Sequence, residues 1–286
     1  MDVKNKLIQG FTLIELMVGL LISLSVSAVA VTYLITSSRI LASQNAENVI
    51  QENTRFAFEI LSSSIRLAGL NTSVNAQTFL LDKPFIFTGA ICAANLDCNT
   101  DNQSHALNSQ PTNANIETDT VAFSYIADFG TTCTGAAITV EQQVVTQFFV
   151  ADLDADDVYS LYCQSYVAFQ DVVTQNFINH SAPKPSVALI DGVEALQVQF
   201  GVDRAEPADF TVNSYVSYQH ILPDDLGNIR SVKIALLFSN AQDDNSLAIT
   251  ENEFGSHTYY IQNGTVTTDR RVLRKVASTT VFLPNS

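Results

Sequence analysis

Basic residues are scarce in this sequence, and none occurs in a long stretch of its middle. The 286 residues include 14 Lys and Arg against 29 Asp and Glu, a formal net charge of −15 at pH 7. No Lys or Arg lies between Lys83 and Lys184. Proteins that hold duplex DNA or RNA contact its phosphates with Lys and Arg, so this composition argues against a directly bound nucleic acid. We expect the acidic middle to be a solvated face, with a basic partner or a bound cation as the alternative.

Cysteine and histidine are also few. None of the four cysteines belongs to a CxxC pair, and the four histidines are scattered, which argues against a zinc site. An even number of cysteines behind an export-type N-terminal segment favours two disulfides, and four cysteines allow three pairings. The sequence also lacks the GxSxG, HExxH and phosphate-binding glycine motifs, so we interpret the protein as non-enzymatic.

Proline is absent before Pro84, and the region before it is dominated by one apolar run. Within residues 11–35 the only ionisable groups are Glu15 and the phenol of Tyr33. As a helix this run measures about 37 Å, which exceeds a bilayer core of roughly 30 Å. Lys4 and Lys6 precede the run, so the positive-inside rule predicts a cytoplasmic N-terminus and a periplasmic C-terminal domain.

A helical period continues beyond the apolar run. Apolar and small side chains recur at helical spacing between charged ones, at Ala42, Ala46, Val49, Asn53, Phe56, Ile60 and Leu67. Gly69 then supplies a stop signal. The pattern predicts one helix over 11–68, with a transmembrane half over 11–35 and an amphipathic half over 36–70. The alternative is a secretory signal peptide cut near Ala28 or Ala30.

Residues 71–286 lose the helical period and predict a β-rich globular domain. Alternating Val, Ile, Phe, Tyr and Thr predict strands over 121–126, 138–150, 158–169, 195–202, 229–239 and 272–282. We expect a mainly antiparallel sheet, because no helical crossover separates most neighbouring strands. The polar segment 95–119 is interpreted as a long surface loop. The predicted fold class is α+β, a long N-terminal helix packed on an antiparallel β domain.

The residues Gly10, Phe11 and Glu15, in the string GFTLIE ahead of the apolar run, resemble the type IV prepilin signature. The resemblance implies a leader over 1–10, cut by a prepilin peptidase between Gly10 and Phe11, with methylation of Phe11. It also makes Glu15 the acid that aligns subunits during assembly. A carboxylate in an apolar run costs about 2.5–3.5 kcal/mol unless it finds a partner. The ammonium that cleavage frees at Phe11 of a neighbouring subunit would be such a partner.

Several blocks narrow the resemblance to the PilW family of minor pilins. They are ENTRFAFEILSSSIRLAGL at 52–70, LYC at 161–163, LIDGVEALQVQFGVD at 189–203, VKIALLF at 232–238 and RRVLRKVASTTVFL at 270–283. They occur in the family's order, and they imply a pilin-like fold.

Within that resemblance we expect local disulfides, Cys92 with Cys98 and Cys133 with Cys163. Asp152, Asp154, Asp156 and Asp157 offer alternating oxygen ligands, and related pseudopilins use calcium. The glycine and distal Glu of an EF-hand are missing, so we expect a solvated hairpin tip and no cofactor, with calcium as the weaker alternative. We also expect solvated acids, with calcium as the weaker alternative, at Asp243, Asp244, Glu251 and Glu253. For the basic group Arg270, Arg271, Arg274 and Lys275 we expect acidic partners in the same chain, or else in an adjoining pilin.

The resemblance implies a minor pilin that primes type IV pilus assembly and lies at or near the tip. Its implied partners are other minor pilins, the major pilin, the prepilin peptidase, the inner-membrane assembly platform and a tip adhesin. Three alternatives stay open: a type II secretion pseudopilin, an anchored or secreted periplasmic binding protein, and a metal-dependent hydrolase using the Asp152 cluster.

Overall fold

A computed structural model describes most of the helix and the core of the β domain. It describes residues 12–70, 115–116, 118–127, 130–138, 142–153, 158–170, 177–179, 186–205, 209–217, 220–240, 257–262, 264–268 and 272–284. Several predictions lie outside these residues: the leader 1–10, Phe11, Cys92, Cys98, Asp154, Asp156, Asp157, Asp243, Asp244, Glu251, Glu253, Arg270 and Arg271.

One helix, α1 (Leu13–Ile65), accounts for 53 residues and confirms the predicted long helix. It starts after Thr12, which has extended backbone angles and caps the first turn. It ends three residues before the predicted boundary, because Leu67 N and Ala68 N donate to carbonyls three residues back in a tight final turn. Gly69 follows with φ +74°, a left-handed conformation that suits glycine at a helix end.

The described strands of the β domain range from two to eleven residues in length. In chain order they are β1 (Asn115–Ile116), β2 (Val121–Ala127), β3 (Gly130–Thr131), β4 (Ala137–Ile138), β5 (Gln142–Ala151), β6 (Ser160–Gln170), β7 (Phe177–Asn179), β8 (Val187–Asp191), β9 (Val193–Val202), β10 (Ser214–Val216), β11 (Ile229–Ser239), β12 (His257–Ile261), β13 (Gly264–Thr268) and β14 (Arg274–Phe282). A 3-10 turn, Pro223–Asp225, precedes β11.

Two sheets carry the core. The first sheet has the order β10-β9-β11-β14, and the second has the order β2-β5-β6-β7 with β8 also paired to β6. A smaller sheet, β1-β13-β12, and the ribbon β3-β4 complete the described strands. Every pairing among them is antiparallel, which confirms the predicted sheet type.

The chain passes from the second sheet to the first at Gly192, which joins β8 to β9 with φ +79°. Only glycine adopts that conformation at no steric cost. The core lies between the second half of α1 and the two sheets. It includes Ile50, Leu61, Phe123, Phe148, Leu161, Phe200, Leu236 and Phe238, all nearly inaccessible to water.

Most predicted strands are observed. Ile229–Ser239 has the predicted bounds, and four others have ends displaced by at most two residues. The predicted strand over 138–150 is instead divided between β4 and β5. The unpredicted strands are β1, β3, β7, β8, β10, β12 and β13. Their pairing partners lie elsewhere in the chain or across tight turns, and short strands carry a weak alternating signal.

The buried face of α1 differs from the predicted stripe. Ala46, Ile50, Ala57, Leu61 and Ile65 are buried, whereas Val49, Phe56 and Leu67 are 45%, 41% and 37% exposed. Val49 and Phe56 each precede a buried residue, so they lie about 100° around the helix from it. The predicted stripe is therefore correct in part. Ala46 is buried, Ala42, Asn53 and Ile60 are half-buried, and Ile60 packs against the core, whereas Val49 and Phe56 form a second apolar face beside it.

The C-terminal end of the predicted loop 95–119 is also different. Asn115 and Ile116 form β1, and Thr118 and Asp119 are buried. The Asp119 N–H donates to Leu196 O at 2.7 Å, and Val198 N donates to Asp119 Oδ2 at 2.8 Å. Hydrogen bonds to β9 thus hold polar residues in the interior, so Asp119 is not part of a solvated acidic face.

Candidate functional site

The first half of α1 is an apolar surface that contacts nothing else in the described part of the chain. Every residue from 12 to 36 is exposed, and the large apolar side chains range from 79% exposed at Leu13 to 47% at Ile35. By length and composition the helix is apolar enough to cross a membrane. Exposed apolar surface of this extent marks a membrane or protein interaction site.

The polar side chains in this half form hydrogen bonds within the helix. The hydroxyls of Ser25 and Ser27 each donate to the carbonyl four residues back at 2.8 Å, and Thr36 does the same at 2.9 Å. Such bonds satisfy the hydroxyl donors of these Ser and Thr side chains and so lower the cost of burying them in hydrocarbon. The helix can therefore carry several Ser and Thr residues and remain suited to a membrane.

Glu15 lies in the first turn of α1, where it forms a capping box with Thr12. Its Oε2 accepts hydrogen bonds from Thr12 N and Thr12 Oγ1, both at 3.1 Å, while Glu15 N donates to Thr12 Oγ1 at 3.3 Å. The helix dipole also favours a negative charge at this end. The other carboxylate oxygen, Oε1, accepts no hydrogen bond from the described residues, so it is available to a cation from outside.

The second half of α1 attaches this surface to the β domain. Asn53 Nδ2 donates to Asp191 O in β8 at 3.0 Å, and the rings of Phe58 and Phe238 meet edge to face at 6.2 Å. Beyond the helix, Gly69 N donates to Ser124 O at 2.9 Å. The helix is thus held over its second half and projects its first half away from the core.

Cys133 and Cys163 form a disulfide, which confirms one of the two predicted pairs. Their Cα atoms are 6.3 Å apart, and the bridge joins the β3-β4 turn to β6 across 30 residues of chain. A bridge of this separation stabilises a fold by about 2–4 kcal/mol. Its place at a turn and a buried strand indicates a structural role.

The predicted calcium ligands are only partly described. The β5-β6 pairing confirms the predicted hairpin. Asp152, just after β5, is buried at 8% exposed, so at this residue the expected solvated tip is wrong. Within the residues that the structure describes, no three His, Cys, Asp or Glu side chains come together in a group that could hold a metal ion.

The basic group near the C-terminus has its described ion pair within the chain. Arg274 Nε donates to Glu194 Oε2 at 2.6 Å, and its guanidinium lies 5.8 Å from the ring centroid of Tyr259. This pair agrees with the expected partner in the same chain. Lys275, the next residue, is exposed.

Sequence reasoning missed a second ion pair at the far end of the first sheet. Arg204 donates to both carboxylate oxygens of Asp225, at 2.9 and 2.6 Å, and to His220 O at 3.1 Å. Hydrogen bonds from the guanidinium lower the pKa of Asp225, against the opposing effect of burial, and they raise the pKa of Arg204. The partners are 21 residues apart, so no local spacing signalled the pair.

Two family models match the chain. Residues 5–31 match the prokaryotic N-terminal methylation motif, and residues 147–285 match type IV pilus-assembly protein W, PilW. The second match extends from β5 beyond β14 and contains four of the five blocks on which the subfamily resemblance depends. No curated protein and no solved structure matches the chain.

Proposed function

From these two matches, which confirm the resemblance to PilW-family type IV minor pilins, we propose that the protein is a minor pilin that primes type IV pilus assembly. It co-assembles with other minor pilins and lies at or near the pilus tip, and it supports motility, adhesion or DNA uptake by the whole pilus. The observation that carries the proposal is the exposed apolar half of α1 with one acid, Glu15, in its first turn.

The apolar helix and the methylation motif are features of a membrane-anchored pilus component. In the proposal the chain is a single-pass protein of the inner membrane, with its β domain in the periplasm until it enters the extracellular pilus. Lys4 and Lys6 ahead of the helix support this orientation. Its partners would be the prepilin peptidase, the assembly platform, the major pilin, other minor pilins and a tip adhesin.

The proposed mechanism begins with cleavage between Gly10 and Phe11. Cleavage creates an ammonium group one residue before Thr12, and this group pairs with Glu15 of the next subunit. The Oε1 atom of Glu15 is available for that contact, because only Oε2 accepts hydrogen bonds from Thr12. Each charge relieves the desolvation of the other in a packed helical bundle, whereas an unpaired charge there costs several kcal/mol. The pair therefore favours subunits packed in one register.

The PilW match favours a pilus over a type II secretion system, for which a pseudopilin of similar fold would serve. The methylation motif match favours pilin processing over a periplasmic binding protein released near Ala28 or Ala30. Deleting the gene and measuring both surface pili and protein secretion separates a pilus minor pilin from a type II secretion pseudopilin. Loss of a pilus component reduces surface pili, whereas loss of a pseudopilin reduces secretion.

The first test is the N-terminus of the membrane-extracted protein, determined by mass spectrometry with and without the prepilin peptidase. We expect a methylated Phe11 at the start of the mature chain, and its disappearance without the peptidase. A chain beginning near Val29 or Val31, or an intact Met1, contradicts the proposal.

The second test replaces Glu15 with Ala or Gln. We expect normal cleavage but at least about tenfold less protein in sheared pili, because the neighbouring ammonium loses its partner and ~1.4 kcal/mol already corresponds to a factor of ten. Glu47→Ala is the matched control, since Glu47 is an exposed acid on the second half of the same helix, on the side opposite Phe56. Equal incorporation of Glu15→Ala and wild type would refute the role of Glu15.

A further inference from the structure

The last strand, β14, forms one edge of the first sheet. It pairs with β11 over nine consecutive residues without a register shift, from Ser231 opposite Phe282 to Ser239 opposite Arg274. No other described strand pairs with it. An edge of this length presents a row of backbone donors and acceptors to solvent.

The hydrogen bonds at its two ends determine which residues present them. Leu283 N donates to Arg230 O at 2.9 Å, and Asn240 N donates to Leu273 O at 3.1 Å. In an antiparallel pair, alternate residues point their N–H and C=O groups toward the partner and away from it. Odd-numbered residues of β14 therefore face β11, whereas Val276, Ser278, Thr280 and Phe282 direct their backbone groups outward, without partners in the described part of the chain.

Other edges of the two sheets are short or covered. β7 and β10 have three residues each. The long edge strand β2 is covered by the chain that follows α1, because Gly69 N donates to Ser124 O and Ile126 N donates to Leu70 O. In the part of the chain that the structure describes, no segment pairs with the outer edge of β14. The strand has no proline and no bulge, and its only exposed charge is Lys275. Proteins usually protect an edge with these devices, so their absence here indicates that the edge is used.

The side chains along this edge suit an added strand. Val276 and Phe282 are 39% and 66% exposed, and the exposed Ser278 and Thr280 lie between them on the same face. An incoming strand with β-branched or aromatic side chains would bury the apolar pair, while its backbone bonds to the four outward residues.

We propose that β14 is a docking edge, to which an extended segment of a different, neighbouring pilin adds as a fifth strand of the first sheet. The inference rests on the proposed function, which brings the β domain beside those of other subunits. The apolar half of α1 joins the subunits within the membrane, and the β14 edge supplies a second, backbone-directed contact outside it. The side chains of the incoming strand that pack against Val276 and Phe282 determine which pilin binds this edge.

The test compares Ser278→Pro with Ser278→Ala in the full-length protein, co-expressed with the other pilins of its system. Proline removes an N–H that points away from β11, a position where an edge strand tolerates proline, whereas alanine keeps this donor. We expect Ser278→Pro to reduce co-purified pilin, identified by mass spectrometry, by about tenfold. The alanine variant should behave as wild type, and both isolated proteins should keep the wild-type unfolding temperature.

Amide hydrogen exchange of the wild-type chain gives a readout that needs no variant. In the isolated protein in detergent, the amides of 276, 278, 280 and 282 should exchange faster than those of 275, 277, 279 and 281. In the complex with the other pilins, both sets should be protected.

Unchanged pilin binding by a folded Ser278→Pro variant, or no new protection at the even-numbered amides, overturns the docking edge. So does protection that arises from a second copy of this chain, or that is already present in the isolated protein. A wild-type chain that lacks the Phe11 terminus and binds no pilin would instead overturn the proposed function. The two failures are therefore distinguishable on the same samples.

Discussion

Arg274 and Glu194 form an ion pair that is almost closed to water, with side chains 2% and 10% exposed. They belong to β14 and β9, which flank β11 in the first sheet, so the pair spans three strands. Breaking such a pair leaves one charge buried without its counter-charge, which costs more than the pair contributes when intact. The contact thus makes the position of the edge strand sensitive to a single residue.

We predict that Glu194→Gln lowers the free energy of unfolding by about 3 kcal/mol, because Arg274 stays charged and loses its carboxylate. Urea titration of the protein in detergent measures this change. Lys275→Ala is the control, since the neighbouring cation is exposed and its removal should cost less than about 0.5 kcal/mol. A Glu194→Gln variant as stable as the control would contradict the prediction.

The ion pair of Asp225 with Arg204 makes the stability of the fold depend on pH. The pKa of Asp225 is lowered by hydrogen bonds from Arg204, so its ionised form is favoured in the folded state. The resulting stabilisation is present above the ordinary aspartate pKa of about 3.9, and it is lost as the pH falls through the lowered pKa. The difference in unfolding temperature between wild type and Asp225→Asn should therefore be largest near neutral pH and shrink in acid. Asp224→Asn, at the exposed neighbouring position, is the matched control for removing one carboxylate.

At the scale of elements, α1 has two apolar faces with different roles in its second half. Ala57 and Leu61 are fully buried against the sheets. Val49 and Phe56 lie about 100° away around the helix from buried neighbours and stay half-exposed, with Arg55 5.3 Å from the Phe56 ring. The exposed face adds to the apolar surface of the first half. If the proposed function is correct, neighbouring helices of the pilus would pack against it.

Substitutions on the two faces should therefore separate folding from assembly. Leu61→Ala should lower the free energy of unfolding by about 2–5 kcal/mol, because it leaves a cavity in the core. Phe56→Ala should cost less than about 1 kcal/mol yet reduce the amount of protein in sheared pili. Denaturant unfolding and quantification in pili measure the two effects. A large loss of stability in Phe56→Ala would assign that face to the core instead.

At the scale of the whole molecule, the apolar half of α1 requires an apolar environment, whereas the β domain is suited to water. The β domain and the second half of α1 enclose a shared core, whereas residues 12–36 expose their side chains throughout. The proposed cleavage after Gly10 precedes this run and leaves it attached. We predict that the processed chain stays in the membrane fraction after alkaline carbonate extraction and dissolves only in detergent. Release of the mature chain into the soluble fraction would point to a cut within the run.

Sequence patterns predicted most of the helix and the long strands, because these elements depend on the spacing of residues close together in the chain. A proline-free helical period specifies α1, and alternating β-branched and aromatic residues specify the long strands, as Ile229–Ser239 illustrates. Part of the candidate site was predictable for the same reason. Thr12 and Glu15 are three residues apart at the start of a helix, and this spacing alone brings them together as a capping box.

By itself, then, the sequence determined the long helix, its capped start with Glu15, the long antiparallel strands and the resemblance to type IV pilins. Only the tertiary structure decided which face of α1 is buried, how Arg204 meets Asp225, and which strand forms the open edge. These features depend on contacts between segments far apart in the chain, where neighbouring residues carry no signal. A helix with apolar residues on two adjacent faces buries the one that fits the sheets, and a strand becomes an edge only when no other segment pairs with it.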